Sequence, residues 1–157
     1  MVYEERVMNL LDVDSDYYIG HCISSDVKMG MGVALEIDKE FKTKSQILRK
    51  YGKTLMTEFQ RDVASGGHGG MCVVCDRVIN LITKEWYWQK PTYSSMRQAI
   101  RKMREKCEEL GITKIAIPRI GCGLDKLDWG VVRGIIVEEL DETDIEILVC
   151  VRGDDRQ

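Results

Sequence analysis

Two charged residues stand where apolar runs give way to loops. Lys84 closes the run Val78-Ile79-Asn80-Leu81-Ile82-Thr83, and Asp125 follows Gly121-Cys122-Gly123-Leu124. A lysine at a strand end, partly desolvated, has its pKa lowered, and its amine becomes a nucleophile toward an electrophilic sugar carbon or a carbonyl. An aspartate on a glycine-spaced loop can act as general base, or orient a water or a sugar hydroxyl. The plainer role for either residue is a solvated charge or a helix cap. No serine elbow, HExxH helix or paired-carboxylate motif competes with them.

The elements that must position this pair can be read from pattern. The β-branched run 115–117 is a buried strand ended by Pro118, and Arg119 to Leu124 form a loop with two glycines around a small residue. Asp125 or Asp128 caps the helix patterned by Trp129, Val132, Ile136 and Leu140. A strand, a glycine-rich turn and a helix start aim backbone N–H groups at an anion, although this turn lacks the spacing of a Rossmann fingerprint or a P-loop. A second such junction follows the strand 17–23: Ser24 to Gly32, with glycines at 30 and 32, opens a helix from Val33 to about Lys42. Two loops of this kind on neighbouring strand ends can hold a diphosphate from both sides.

The remaining chain reads as a first strand over 3–10, short helices over 45–50 and 54–63, and a flexible glycine-rich loop over 64–70 that carries a solvated His68. A hairpin spans 71–75 and 78–83 with its turn at Asp76-Arg77. A long amphipathic helix spans 92–110 with Met96, Ile100, Met103, Cys107 and Leu110 on one face, and a last strand covers 145–151. Between hairpin and long helix, Trp86-Tyr87-Trp88 form an aromatic loop, either the edge of the core or the wall of a ligand or partner surface. Alternation of strands and helices defines one α/β domain: three layers, α/β/α, around a mixed, largely parallel sheet, with the core over about 3–152 and a polar tail over 153–157.

Composition bounds the partners. The chain has 157 residues, is 44% hydrophobic and carries a formal net charge of −3 with scattered cations, which argues against a general polyanion-binding face. Six cysteines sit mostly in apolar runs, behind an acidic N-terminus that does not resemble a signal peptide, and no run approaches membrane-spanning length. The expected setting is a reducing cytosol, or the nucleus of a eukaryote, with no membrane partner and a monomeric chain. Cys72-Val-Val-Cys75 has redox or zinc spacing, but on a strand residues three apart face opposite sides, so the expectation is core thiols and no metal.

Several segments together resemble the macro domain, the ADP-ribose-binding fold, and within it the terminal ADP-ribose protein glycohydrolase branch. They are His21-Cys22-Ile23-Ser24, Met29-Gly30 with Gly32, Leu81-Ile82-Thr83-Lys84, Lys90-Pro91-Thr92-Tyr93, and Pro118 through Asp125 with Leu127 and Trp129. The resemblance implies that Lys84 attacks the anomeric carbon of the distal ribose to give a lysyl–ADP-ribose intermediate, and that Asp125 is the acid/base that opens the ribose and resolves the adduct. It implies that Arg119, Ile120, Gly121, Cys122, Gly123 and Leu124 wrap the diphosphate and distal ribose, facing Ser24, Met29, Gly30 and Gly32. Asn9, Leu10 and Arg152 would line the adenosine side; many macro domains have an aspartate where Asn9 stands. No cofactor or metal is implied. The implied substrates are ADP-ribose esters on protein glutamate or aspartate, or O-acetyl-ADP-ribose. The alternatives are ADP-ribosyl-thymidine in DNA, ADP-ribose 1″-phosphate, or binding of ADP-ribose without turnover.

Overall fold

The run that ends in Lys84 becomes a central strand, buried from Val78 to Thr83 and half-buried at Lys84. Near-continuous apolar strands of this kind belong in a parallel sheet covered on both faces. The computed structural model describes residues 1–153; of the expected polar tail, only Gly153 is within them and 154–157 lie outside. The strands are β1 (Val2–Val7), β2 (Tyr18–Ser24), β3 (Met71–Cys75), β4 (Val78–Lys84), β5 (Lys114–Ile117) and β6 (Glu146–Val151). The helices are α1 (Gly32–Phe41), α2 (Thr43–Tyr51), α3 (Thr54–Ala64), α4 (Tyr93–Leu110) and α5 (Trp129–Leu140). The sheet order is β1-β6-β5-β2-β4-β3, parallel except for β3, which runs antiparallel to β4.

One face of the sheet packs Ile79, Leu81, Ile115, Ile117 and Ile147 against Met96, Ile100 and Met103 of α4 and Val132, Ile136 and Leu140 of α5. The other face carries Ile19, Ile23, Val78 and Ile82 beneath Ile37 of α1, Ile47 of α2, and Leu55 and Phe59 of α3. Cys72 packs toward the first face and Cys75 toward the second, as strand alternation requires. No helix among the described residues is long and apolar enough to cross a membrane.

Two expectations change. The first strand stops at Val7, because Asn9 turns the chain: its Oδ1 accepts the Leu11 N–H at 2.9 Å and caps a single 3₁₀ turn over Leu10–Asp12. The glycine-rich loop before β3 is tied down, not flexible. Asp62 accepts the Gly69 N–H at 2.9 Å, and Gln98 of α4 accepts the His68 N–H at 2.9 Å and donates to the Gly70 carbonyl at 3.0 Å. Gly70 lies so close to α4 that a Cβ there would sit 2.3 Å from the Ser95 carbonyl oxygen and 2.5 Å from the Ala99 nitrogen. Backbone cannot yield as a side chain can, so Gly70→Ala is expected to destabilise the fold by about 2 kcal/mol or more, read as a lower urea midpoint.

Buried His21 of β2 adds a pH dependence. Its Nε2 lies 2.7 Å from Asn80 Oδ1, while Asn80 Nδ2 donates to Thr43 Oγ1 and to the Val73 carbonyl. The amide oxygen is therefore an acceptor and His21 Nε2 carries the hydrogen. Burial pushes the imidazole down from 6.5 to about 4. The unfolded chain thus takes up this proton first: the contribution is complete above the ordinary histidine value and is lost as pH falls toward the folded one. Between pH 6.5 and about 5, above the carboxylate range, stability should fall by about 2 kcal/mol. Urea titrations across that interval should show the fall in wild type and a smaller one in His21→Gln, whose amide can still donate to Asn80.

Candidate active site

The order β5-β2-β4 sets three carboxyl ends side by side, so the loops after β5 and β2 flank each other and Lys84 ends the next strand along. A register shift between Ile23 and Ser24 pairs Ser24 with Lys84 at the rim. The two loops touch: a Cβ on Gly32 would lie 3.5 Å from Leu124 Cδ1. Lys84 Nζ donates to Asp125 Oδ1 at 2.6 Å, with side chains only 13% and 16% exposed. The pair expected from sequence is therefore formed and largely withdrawn from water. Asp128, not Asp125, caps α5, accepting the Val131 N–H at 3.2 Å, which leaves Asp125 for Lys84.

The loop from Arg119 to Asp125 is anchored by two buried side chains, Ile120 and Leu127, and by the Leu127 N–H donating to the Gly121 carbonyl at 2.7 Å. Gly121 is required there: its φ is +75°, and a Cβ would press on Met96 Cε at 2.8 Å. Cys122 is partly buried, while Gly123 and Leu124 are exposed beside the pair.

The loop after β2 reaches its shape by unusual torsions. Val27 and Met29 take φ of +56° and +46°, and both side chains are buried in the core under α2 and α3. Left-handed backbone at bulky residues costs on the order of 1–3 kcal/mol each and persists only where surroundings impose it. Here the effect is to drive the side chains inward and leave Lys28, Gly30, Met31 and Gly32 exposed along the rim. Met29, expected as a ligand contact, thus offers backbone only. Asp26 holds the loop: Oδ1 accepts from Ser24 Oγ and from the Lys28 N–H at 3.3 Å, and Oδ2 accepts the Tyr87 N–H at 3.0 Å. Sequence reasoning passed over Asp26. Its position two residues past Ser24, in a strand-to-loop junction rich in short polar side chains, was the signal available.

Arg119 turns away from Lys84 and reaches across β6 to β1, where Nη2 lies 3.3 Å from Glu5 Oε1. Glu5 also accepts from the Tyr3 hydroxyl at 2.7 Å and Trp129 Nε1 at 3.4 Å. Burial pushes the Glu5 carboxyl up, but these donors outweigh it and hold it below the ordinary value. A cleft of about 180 Å³ lined by Glu5, Arg6, Val7, Arg119 and Val151 opens at this end of the sheet. Asn9, Leu10 and Arg152 follow β1 and β6, on the same carboxyl edge but away from the pair. Leu10 is buried, Asn9 is the 3₁₀ cap, and Arg152 lies 3.4 Å from Glu36 of α1.

Two thiols adjoin the pair. Burial, with the Asp125 carboxylate adding to it, pushes the Cys22 thiol up, and burial raises Cys122 to about 11. Both are kept protonated at neutral pH and are poor nucleophiles there. Two side chains at this rim have a carboxylate in hydrogen-bond reach, Ser24 Oγ on Asp26 and the Lys84 amine on Asp125; Asp26 is already taken up by three donors, and an amine is the stronger nucleophile of the two.

A six-stranded, largely parallel α/β/α sandwich with two glycine loops on adjacent carboxyl ends matches a known class. Residues 21–136 match the model of the Macro domain family, and the chain belongs to that family. It is 37% identical over 129 residues to the ADP-ribose glycohydrolase OARD1 of Bos taurus, covering 82% of this chain and 78% of that protein. The Homo sapiens protein of the same name is 35% identical over 131 residues, covering 83% and 79%. Among solved structures, the macrodomain of Thermus aquaticus DarG superposes with a TM-score of 0.74 over 95% of this chain and 97% of that one, at 19% identity.

Proposed function

We propose that this chain hydrolyses the bond between ADP-ribose and a carboxylate, on glutamate or aspartate of a protein or in O-acetyl-ADP-ribose, through a lysyl intermediate. The observation that carries the reading is the withdrawn Lys84–Asp125 pair at 2.6 Å between two glycine loops. Kinship to proteins named ADP-ribose glycohydrolases supports a hydrolase. A module that only holds ADP-ribose has no use for a lysine and its base at the rim.

In this scheme the exposed backbone of Gly30 to Gly32 and of Gly123 to Leu124 approaches the diphosphate and distal ribose from either side. Lys84 passes a proton to Asp125, and its lone pair forms a C–N bond to the anomeric carbon. The C–O bond breaks with its electron pair on the carboxylate, a leaving group that needs no proton. Asp125 then passes its proton to the ring oxygen while the adduct nitrogen releases one proton to solvent, and the sugar opens to a protonated imine. Water adds to the same carbon and gives a proton to Asp125, which hands it to the nitrogen. The C–N bond breaks with its electron pair on nitrogen, the new hydroxyl yields its proton to Asp125, and the aldehyde recloses as free ADP-ribose beside the restored Lys84–Asp125 pair. Asp125 thus serves both half-reactions, and Lys84 is the covalent relay.

The direct test is release of free ADP-ribose from a glutamate-ADP-ribosylated protein at catalytic enzyme concentration. Release with multiple turnovers supports the reading. Tight binding of ADP-ribose with no release from the protein or from O-acetyl-ADP-ribose would make the chain a binder. Asp26 supplies a finer expectation: Asp26→Ala, which frees Ser24 and the Lys28 and Tyr87 N–H groups, should weaken ADP-ribose binding about tenfold, measured by calorimetry.

A further inference from the structure

Glu5 has no part in the scheme above, yet donors from three elements converge on it. It lies on β1, an edge strand, half-buried on the face it shares with Tyr3. An inward-facing acid on an edge strand can act simply as a guard against pairing with another chain. A guard needs no partners, and Glu5 has several. Arg119 Nη2 lies 3.3 Å from its Oε1, while Oε2 accepts from the Tyr3 hydroxyl at 2.7 Å and from Trp129 Nε1 at 3.4 Å. Arg133 Nη1 stands 3.9 Å from Oε2. The Tyr3 bond comes from the same strand and sets the direction of the carboxylate for the partners that arrive from elsewhere.

Arg119 and Trp129 share one feature: they stand at the two ends of the segment that carries Asp125. Arg119 follows β5, and Trp129 is the first residue of α5. A single carboxylate thus ties both ends of that segment to the edge of the sheet, while Lys84 of β4 meets its middle. Buried Ile120 and Leu127 join the segment to the core, and the Leu127 N–H on the Gly121 carbonyl joins it to itself. Glu5 adds the tie to β1.

The segment needs holding. Lys126, directly after Asp125, takes a φ of +58°. A residue with a side chain keeps such left-handed backbone only where its surroundings impose it. With its ends released the segment can relax at Lys126, and Asp125 moves with it.

We infer that Glu5 is a positioning residue, which through Arg119 and Trp129 sets where Asp125 stands against Lys84. The kinetic consequence rests on the hydrolase reading; the position of Asp125 does not. A reacting group misplaced by about 1 Å costs up to about 10²-fold in rate.

The test compares wild type with Glu5→Gln, Trp129→Phe and the double variant. The glutamine keeps the size of the side chain and an acceptor oxygen but loses the charge that faces Arg119. Glu5→Gln should lower kcat on a glutamate-ADP-ribosylated protein about tenfold, with KM and the calorimetric Kd for ADP-ribose within about threefold of wild type. Its backbone amide resonances at Asp125 and Lys126 should move while those of β4 stay in place. Trp129→Phe removes one donor to Glu5 and keeps a ring in the core, so it should lower kcat about threefold even if Glu5→Gln folds poorly. The double variant should be no slower than Glu5→Gln alone, because both changes break one unit. A lower melting midpoint with wild-type kcat would make Glu5 a stabilising strap and overturn the inference. A loss confined to KM, or amides of Asp125 and Lys126 that do not move, would overturn it too. Should wild type release no ADP-ribose, the hydrolase reading falls by itself, and the amide resonances alone decide whether Glu5 positions Asp125.

Discussion

Lys84→Ala should lower turnover of an ADP-ribose ester by a factor on the order of 10³ or more while leaving ADP-ribose affinity within a few-fold of wild type. The separation follows from geometry. Lys84 stands at the end of β4, paired to Asp125, whereas the backbone that the proposed scheme assigns to the diphosphate belongs to the loops after β2 and β5. Removing the amine removes the atom that forms the bond, not the cradle. Leaving Asp125 without its cation carries some cost in a site this withdrawn from water, so the thermal midpoint of the variant should be recorded beside its rate. Lys84→Arg sharpens the comparison: it keeps a cation for Asp125 but has no nucleophilic nitrogen at neutral pH, and should be as inactive as the alanine variant. Single-turnover release together with calorimetric binding of ADP-ribose checks both halves.

Asp125→Asn should lower the rate by about 10²- to 10⁴-fold, by a different route. The amide can still accept from Lys84, so the loop keeps its place, but it cannot take or return a proton. The first half-reaction slows, and the second slows more, because carboxylate departs unaided whereas hydrolysis of the adduct needs proton transfer to a carbon–nitrogen bond. The variant should therefore accumulate protein-bound ADP-ribose during an incubation in which wild type carries none. The pair acts as one unit, so the double variant should be little worse than Lys84→Ala alone.

Much of this arrangement was legible in sequence because apolar period and glycine spacing are local signals. The runs 78–84 and 115–117 read as buried strands, the four–three spacing of Met96 to Leu110 as a helix, and the two glycine junctions as loops at strand ends. What period cannot supply is neighbourhood. That β2 lies between β5 and β4, bringing residues 24–32, 84 and 119–125 to one rim, is a property of strand order. The errors were also local competitions that pattern does not record. Asn9 spends its side chain on the Leu11 N–H and ends β1 early, and Asp62 with Gln98 fixes a glycine-rich loop that composition alone marks as mobile. Asp26 was missed for a related reason: beside its two local hydrogen bonds, the third, from the Tyr87 N–H, joins segments 61 residues apart, and no window on the sequence contains both.

The covalent relay at Lys84 is the central claim, and the most direct measurement of it is the mass of the protein itself. Asp125→Asn, incubated with a glutamate-ADP-ribosylated peptide and quenched, should gain the mass of one ADP-ribosyl group, mapped by peptide fragmentation to Lys84 and absent from the Lys84→Ala, Asp125→Asn double variant. Wild-type release of ADP-ribose that persists undiminished in Lys84→Ala, with no adduct on any variant, would contradict the claim and assign the attack to water.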